Sequence, residues 1–137
     1  MENRIVVLTI AERLVLLELL GTAYGDFITL KLISKVKEQL GFSDEELEQT
    51  GFLRRVRCGS CGHTDYIPYT KPAVCPACKV EMDADGTLKW NPEATAKAFG
   101  FAYTESVVVT ALLRKLNDSK QLSERHLSLY EKFVEPN

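Results

Sequence analysis

No stretch of this sequence is apolar for long enough to cross a bilayer. Its most hydrophobic run, around residues 10–20, is broken by Glu12, Arg13 and Glu18, whereas a spanning helix needs about 18 or more apolar residues. The N-terminus carries no basic segment leading to a small-residue cleavage site, so a cytoplasmic protein with no membrane partner is expected. An excess of one charge is missing too. With 17 Lys and Arg against 19 Asp and Glu, the net charge is −2, which excludes an overall basic footprint of the kind that binds phosphates. Catalytic signatures are also lacking. There is no Ser/His/Asp or Cys/His arrangement and no Gly-rich phosphate loop, and only two histidines, His63 and His126. Asp83-Ala84-Asp85-Gly86 lacks the further oxygen ligands of a calcium loop. The expectation is a protein that is not an enzyme.

What is present is a globular composition, 45% hydrophobic and 26% charged over 137 residues, which suits one domain with a small addition. The four cysteines are the sharpest feature. Cys58 and Cys61 form one Cys-x-x-Cys unit and Cys75 and Cys78 a second, thirteen residues apart. In a reducing compartment such pairs read as metal ligands before disulfides. Each tight turn brings two sulfurs together, and two turns supply the four thiolates of a tetrahedral ion. Gly62 after the first pair and Pro76 inside the second suit such turns. Four thiolates leave no coordination position open, so the expected cofactor is a structural zinc in preference to iron. His63 is then surplus as a ligand, and His126 has no evident partner.

Local signals place the helices. Thr9 with Glu12 is a capping-box pair opening a helix to about Leu20, stopped by Gly21. Apolar residues cover most of its circumference, leaving Glu12, Arg13 and Glu18 as the polar remainder, a pattern that predicts a central helix or a homodimer contact. A second helix begins between Asp26 and Thr29 and ends at Gly41, read as a left-handed cap. Ser43 with Glu46 opens a short acidic helix, Asp44 to Gln49, and the pair resembles a helix-turn-helix. Phe52 to Arg57 reads as a strand, and Val80–Met82 and Thr87–Trp90 as a hairpin about Asp85-Gly86. Asn91-Pro92 opens either a brief helical turn or a strand running to Tyr103. Thr104 caps a helix to about Leu116, and Ser123 starts a last one ending near Val134. The expected fold is α+β, mainly helical, with a winged-helix-like N-terminal half, a small antiparallel sheet and two closing helices. Residues 1–57 and 87–137 would form the scaffold and 58–86 the inserted zinc ribbon.

Arg54, Arg55, Arg57, Lys71, Tyr66 and Tyr69 are the candidate partner-binding residues, a basic and aromatic surface around the ribbon. Asp65, Glu81, Asp83 and Asp85 offset its charge. The short helix Asp44–Gln49 carries four carboxylates, which argues against its insertion into a DNA groove.

The segment Cys58-Gly59-Ser60-Cys61-Gly62 to Cys75-Pro76-Ala77-Cys78 resembles zinc ribbons and, in its short central loop, the rubredoxin-like ribbons of rubrerythrins. Rubrerythrins pair that site with Glu-x-x-His helices. Neither His63 nor His126 follows a Glu at that spacing, so electron transfer is not expected. "LTIAERLVLLELL", "LKLISKVKEQLGFSDEELEQ", "WNPE" and "LSERHLSLYEKFVE" are similar to a family of small, functionally unassigned proteins encoded by bacteriophages and prophages. Many of its members lack the cysteines, which implies that the ribbon is an insertion. The resemblance implies a protein acting by binding, with a host protein as the expected partner. A nucleic-acid-binding regulator and a protein sequestering a small nucleotide signal are the alternatives.

Overall fold

The computed structural model describes residues 4–91, 93 and 96–134. The chain divides into two compact units, Met1–Gly41 with Thr95–Asn137, and Phe42–Ala94. The fold is α+β, as expected. The inserted unit is longer than 58–86, and it takes the third helix, the first ribbon strand and Trp90 with it.

The first unit opens with β1 (Arg4–Leu8), which pairs antiparallel with β5 (Lys97–Phe101) in a two-stranded sheet. Val6 stands opposite Phe99 and Arg4 opposite Phe101. Because side chains alternate across a strand, Val6, Leu8, Phe99 and Phe101 enter the core, while Ile5 and Val7 remain exposed. Of the two readings left open for the segment before Tyr103, the strand is the one observed over Lys97–Phe101. The Asn91-Pro92 turn falls partly outside the described residues.

Helix α1 (Ile10–Gly21) has the expected capping box, with Thr9 Oγ1 accepting from the Glu12 amide and Glu12 accepting from the Thr9 amide. It runs through Gly21 to a cap at Thr22. Glu12 and Arg13, expected among the polar remainder, are buried. Arg13 donates to the carbonyls of Leu40 and Gly41 at 2.9 and 3.1 Å, the exposed-carbonyl end of α2 (Phe27–Leu40). This explains a second departure. Gly41 has φ −59° and is no left-handed cap, since a guanidinium satisfies the helix end instead. Leu16, Leu20, Ile33, Val36 and Leu40 of these helices join Val109, Leu113, Leu129 and Phe133 in one core. Apolar α1 is thus packed against its own chain.

Helix α4 (Tyr103–Asp118) starts at an Ala102 cap, with Thr104 already in its first turn. Glu105 reaches back and accepts from the Ala102 amide at 2.8 Å, which closes the helix start ahead of the expected Thr104 cap. A single 3-10 turn (Glu124–His126) leads into α5 (Leu127–Phe133). His126 does have a partner: its Nδ1 accepts from the Ser123 amide at 3.0 Å.

The second unit contains α3 (Asp44–Gln49), capped by Ser43, and a sheet ordered β3-β2-β4 from β3 (Thr64–Pro68), β2 (Leu53–Arg57) and β4 (Asp83–Lys89), all antiparallel. Helices α2 and α3, read as a helix-turn-helix, belong to different units. The Asp85-Gly86 hairpin is a correction. Val56 faces Ala84 and Arg54 faces Leu88, so Asp85, Gly86 and Thr87 stand against Arg55 alone, and the turn signal forms a bulge inside one strand. Gly86 takes φ +89° there, a region open to glycine, and the Thr87 amide donates to Asp85 at 2.9 Å. Phe52 holds Phe42, Tyr69 and Trp90 around it with ring centroids at 5.2, 5.8 and 5.5 Å. The Asn91 amide closes on the Thr50 carbonyl at 2.8 Å.

Candidate metal centre

Strand β2 delivers Cys58 at its end, and the chain turns at once. The Gly62 amide donates to the Cys58 carbonyl at 2.9 Å and the Cys58 amide to the His63 carbonyl at 2.8 Å. The second pair repeats this. The Lys79 amide donates to the Cys75 carbonyl at 2.9 Å and the Cys75 amide to the Val80 carbonyl at 2.9 Å. Val74 and Glu81 bridge below it, and the Met82 amide reaches the Ala73 carbonyl at 2.8 Å. Two equivalent knuckles therefore present their sulfurs toward one point.

The four ligand atoms lie within 4.8 Å of one another, and Cys61 Sγ stands 3.7 Å from Cys75 Sγ. A tetrahedral ion with sulfur bonds of about 2.3 Å has sulfur edges of roughly 3.8 Å, so the cluster has the dimensions to hold one metal ion. Cys58 and Cys75 are buried, Cys78 half-buried and Cys61 exposed. The site thus sits at the edge of a small core made with Val56, Ala73 and Met82. His63 is exposed and outside the ligand group.

The thiol chemistry points the same way. Amide N–H groups of Cys61 and Ser60, with the neighbouring Cys61 and Cys75 thiols, lower the Cys58 thiol to about 7. Cys78, beside Cys61 and Cys58, is pushed up to about 12. Fixed dipoles favour the Cys58 thiolate, and the neighbouring sulfurs oppose ionisation of Cys78. A bound cation removes that opposition, which is why metal uptake releases protons from such a cluster.

The remaining predicted site residues do not form one surface. Arg55 stands opposite Tyr66 across β2 and β3, Arg57 opposite Thr64 on the same face, and Lys89 lies over the Tyr66 ring at 4.9 Å. Arg54 points the other way and donates to the Lys71 carbonyl at 2.8 Å. Tyr69 packs edge-on to Phe52. Arg55 is paired with Asp85 at 3.5 Å, so the exposed sheet face is of mixed charge. Lys89 is absent from the predicted set, and its pairing with Leu53 of β2 is the signal that brings it in. No family model, curated protein or solved structure matches the chain. No helix among the described residues is long and apolar enough to cross a membrane.

Proposed function

We propose that the protein is a non-enzymatic zinc-binding protein of phage type, whose metal-organised unit binds and modulates a host protein. The observation that carries this reading is the doubled knuckle, a four-thiolate site with no position left for water or substrate. Such a site organises a surface and does no chemistry of its own. The surface it supports is the exposed face bearing Arg55, Arg57, Tyr66 and Lys89, where an aromatic ring under a cation sits among mixed charges, a composition suited to a protein partner. Zinc is the ion we assign, since an all-thiolate tetrahedral set suits zinc and a binding role needs no redox couple.

The test is affinity capture from the natural host with the intact protein and two variants. Cys58→Ser with Cys61→Ser should abolish capture while the first unit stays folded, and Tyr66→Ala with Arg57→Glu should abolish it with the metal still bound. Capture unchanged by both would overturn the reading. Salt-sensitive nucleic-acid binding, lost with Arg57, would replace it by a nucleic-acid-binding function.

Self-association is part of the same proposal. Ile5 and Val7, exposed by 73% and 50%, lie opposite Gly100 and Ala98 on the outer face of the two-stranded sheet, which a second copy would cover. A monomeric mass by light scattering at micromolar concentration would contradict it.

A further inference from the structure

Along α4 the first unit carries a groove of about 910 Å³, within the range of roughly 300 to 1,000 Å³ typical of small-molecule sites. Its wall is one stripe of the helix. Tyr103, Val107 and Ala111 recur every four residues and so share a face, and Tyr103 and Val107 are about half exposed. Ser106 also lines the groove. It is only 6% exposed, and its hydroxyl has no hydrogen-bond partner among the described residues. A serine inside a helix commonly returns its proton to the carbonyl one turn back, and buried hydroxyls are rarely left unpaired. The Ser106 O–H is therefore left to pair with a ligand in the groove that this residue lines.

The charged residues converge on the same place. Arg4 Nη1 donates to the Phe133 carbonyl at 2.7 Å, and Thr110 Oγ1 lies 3.5 Å from that same oxygen. The shared carbonyl sets Arg4 beside Thr110. Arg114 follows Thr110 by one helical turn, and Lys115 lines the groove while its Nζ lies 4.9 Å from the Tyr24 ring. Asp118 is the one carboxylate among the described lining residues. Among the described residues, two of the five guanidinium donors of Arg4 are committed, to the carbonyls of Phe133 and Lys132, which leaves donors to offer a ligand.

We propose that this groove binds a small anion carrying a flat apolar body, the class of aromatic carboxylates and aromatic phosphate monoesters. The body lies against Tyr103, Val107 and Ala111, and the anionic group sits among Arg4, Thr110 and Arg114, where Ser106 donates to it. The site goes beyond host-protein binding and uses none of the cysteines.

The test is a titration of the ¹⁵N-labelled, metal-loaded full chain with 1-naphthyl phosphate and 1-naphthoate, and with 1-naphthol and inorganic phosphate as controls. Saturable shifts at the amides of Ser106, Val107 and Thr110 are expected with at least one of the two anions, and the tighter of them identifies the headgroup. Naphthol and inorganic phosphate should each bind about tenfold more weakly, and Arg114→Gln should weaken the anion about fivefold. Naphthol binding as tightly as the anions, no effect of Arg114→Gln in a chain with an otherwise unchanged spectrum, or no saturable shift at these amides would each overturn the proposal.

Discussion

Lys79 occupies in the second knuckle the backbone position that Gly62 occupies in the first. Each residue follows the second cysteine of its pair, each donates its amide to the carbonyl of the first cysteine at 2.9 Å, and both have positive φ, +62° for Lys79 and +77° for Gly62. One knuckle meets this left-handed requirement with glycine. The other meets it with a residue whose Cβ makes it costly, by about 1 to 2 kcal/mol.

Replacing Lys79 by glycine should therefore stabilise the second unit. Relief of the left-handed strain exceeds the entropy that glycine loses on folding, leaving about 0.5 kcal/mol. Gly62→Ala should do the reverse by about 1 kcal/mol, although its Cβ would meet nothing nearer than Arg57 Nη2 at 3.8 Å. Chelator competition for the metal measures both. Equal metal affinity in all three proteins would mean that the backbone at these positions is not what limits the site.

Metal removal should act on the two units unequally. Cys58 and Cys75 are members of the small buried cluster of the second unit, so metal binding there is also folding free energy. The first unit has its own core, with thirteen buried residues among those described. A strong chelator should thus collapse hydrogen-exchange protection at Val56 and Met82 and spare Leu8, Val109 and Leu113. Loss of protection at both sets together would show that the first unit needs the metal.

What could be read in the sequence was local. The Thr9/Glu12 box, the Ser43 cap and the paired knuckles each lie within a few residues, so their geometry follows from short-range donors and acceptors. Asp85-Gly86 was misread as a turn because a positive-φ glycine serves a hairpin or a bulge equally well, and only the pairing of β4 with β2 decides. Strand β3 went unread since Thr64, Asp65 and Tyr66 are exposed and show no alternation. The unit boundary depends on Phe42 and Trp90 meeting at Phe52, a contact across much of the chain. Arg54 and Arg55 were grouped as neighbours in sequence, though strand parity alone sends them to opposite faces.

Arg13 is the buried residue whose replacement should cost most for its size. Its guanidinium lies over the Phe99 ring at 5.0 Å and satisfies the carbonyls of Leu40 and Gly41. Arg13→Met keeps the stem but strands those two acceptors, at a cost of about 2 to 3 kcal/mol. Arg13→Lys should recover only part of it, because one ammonium does not reproduce the planar fork. Urea unfolding of the three proteins checks this. Arg13→Met as stable as the parent would show that water replaces the guanidinium at the end of α2.

Glu12 couples α1 to α5 and should give the first unit a measurable acid limb. Its carboxylate accepts from Lys132 Nζ at 2.6 Å and from the Thr9 amide at 2.9 Å, while the same ammonium reaches the Val7 carbonyl at 2.8 Å. Burial alone would push the carboxyl up, but Lys132, the Thr9 amide and Ser128 together outweigh it and hold it below its usual 4.5. The folded state therefore binds this proton less readily than the unfolded chain. The stabilisation is complete above pH 4.5 and is lost as pH falls through the lower folded-state value. Glu12→Gln should accordingly be less stable than the parent at pH 7, and the gap should narrow in the window below pH 4.5, where the parent loses what the variant never had. Parallel stability curves for parent and variant across that window would show that the Glu12–Lys132 pair does not govern the acid limb.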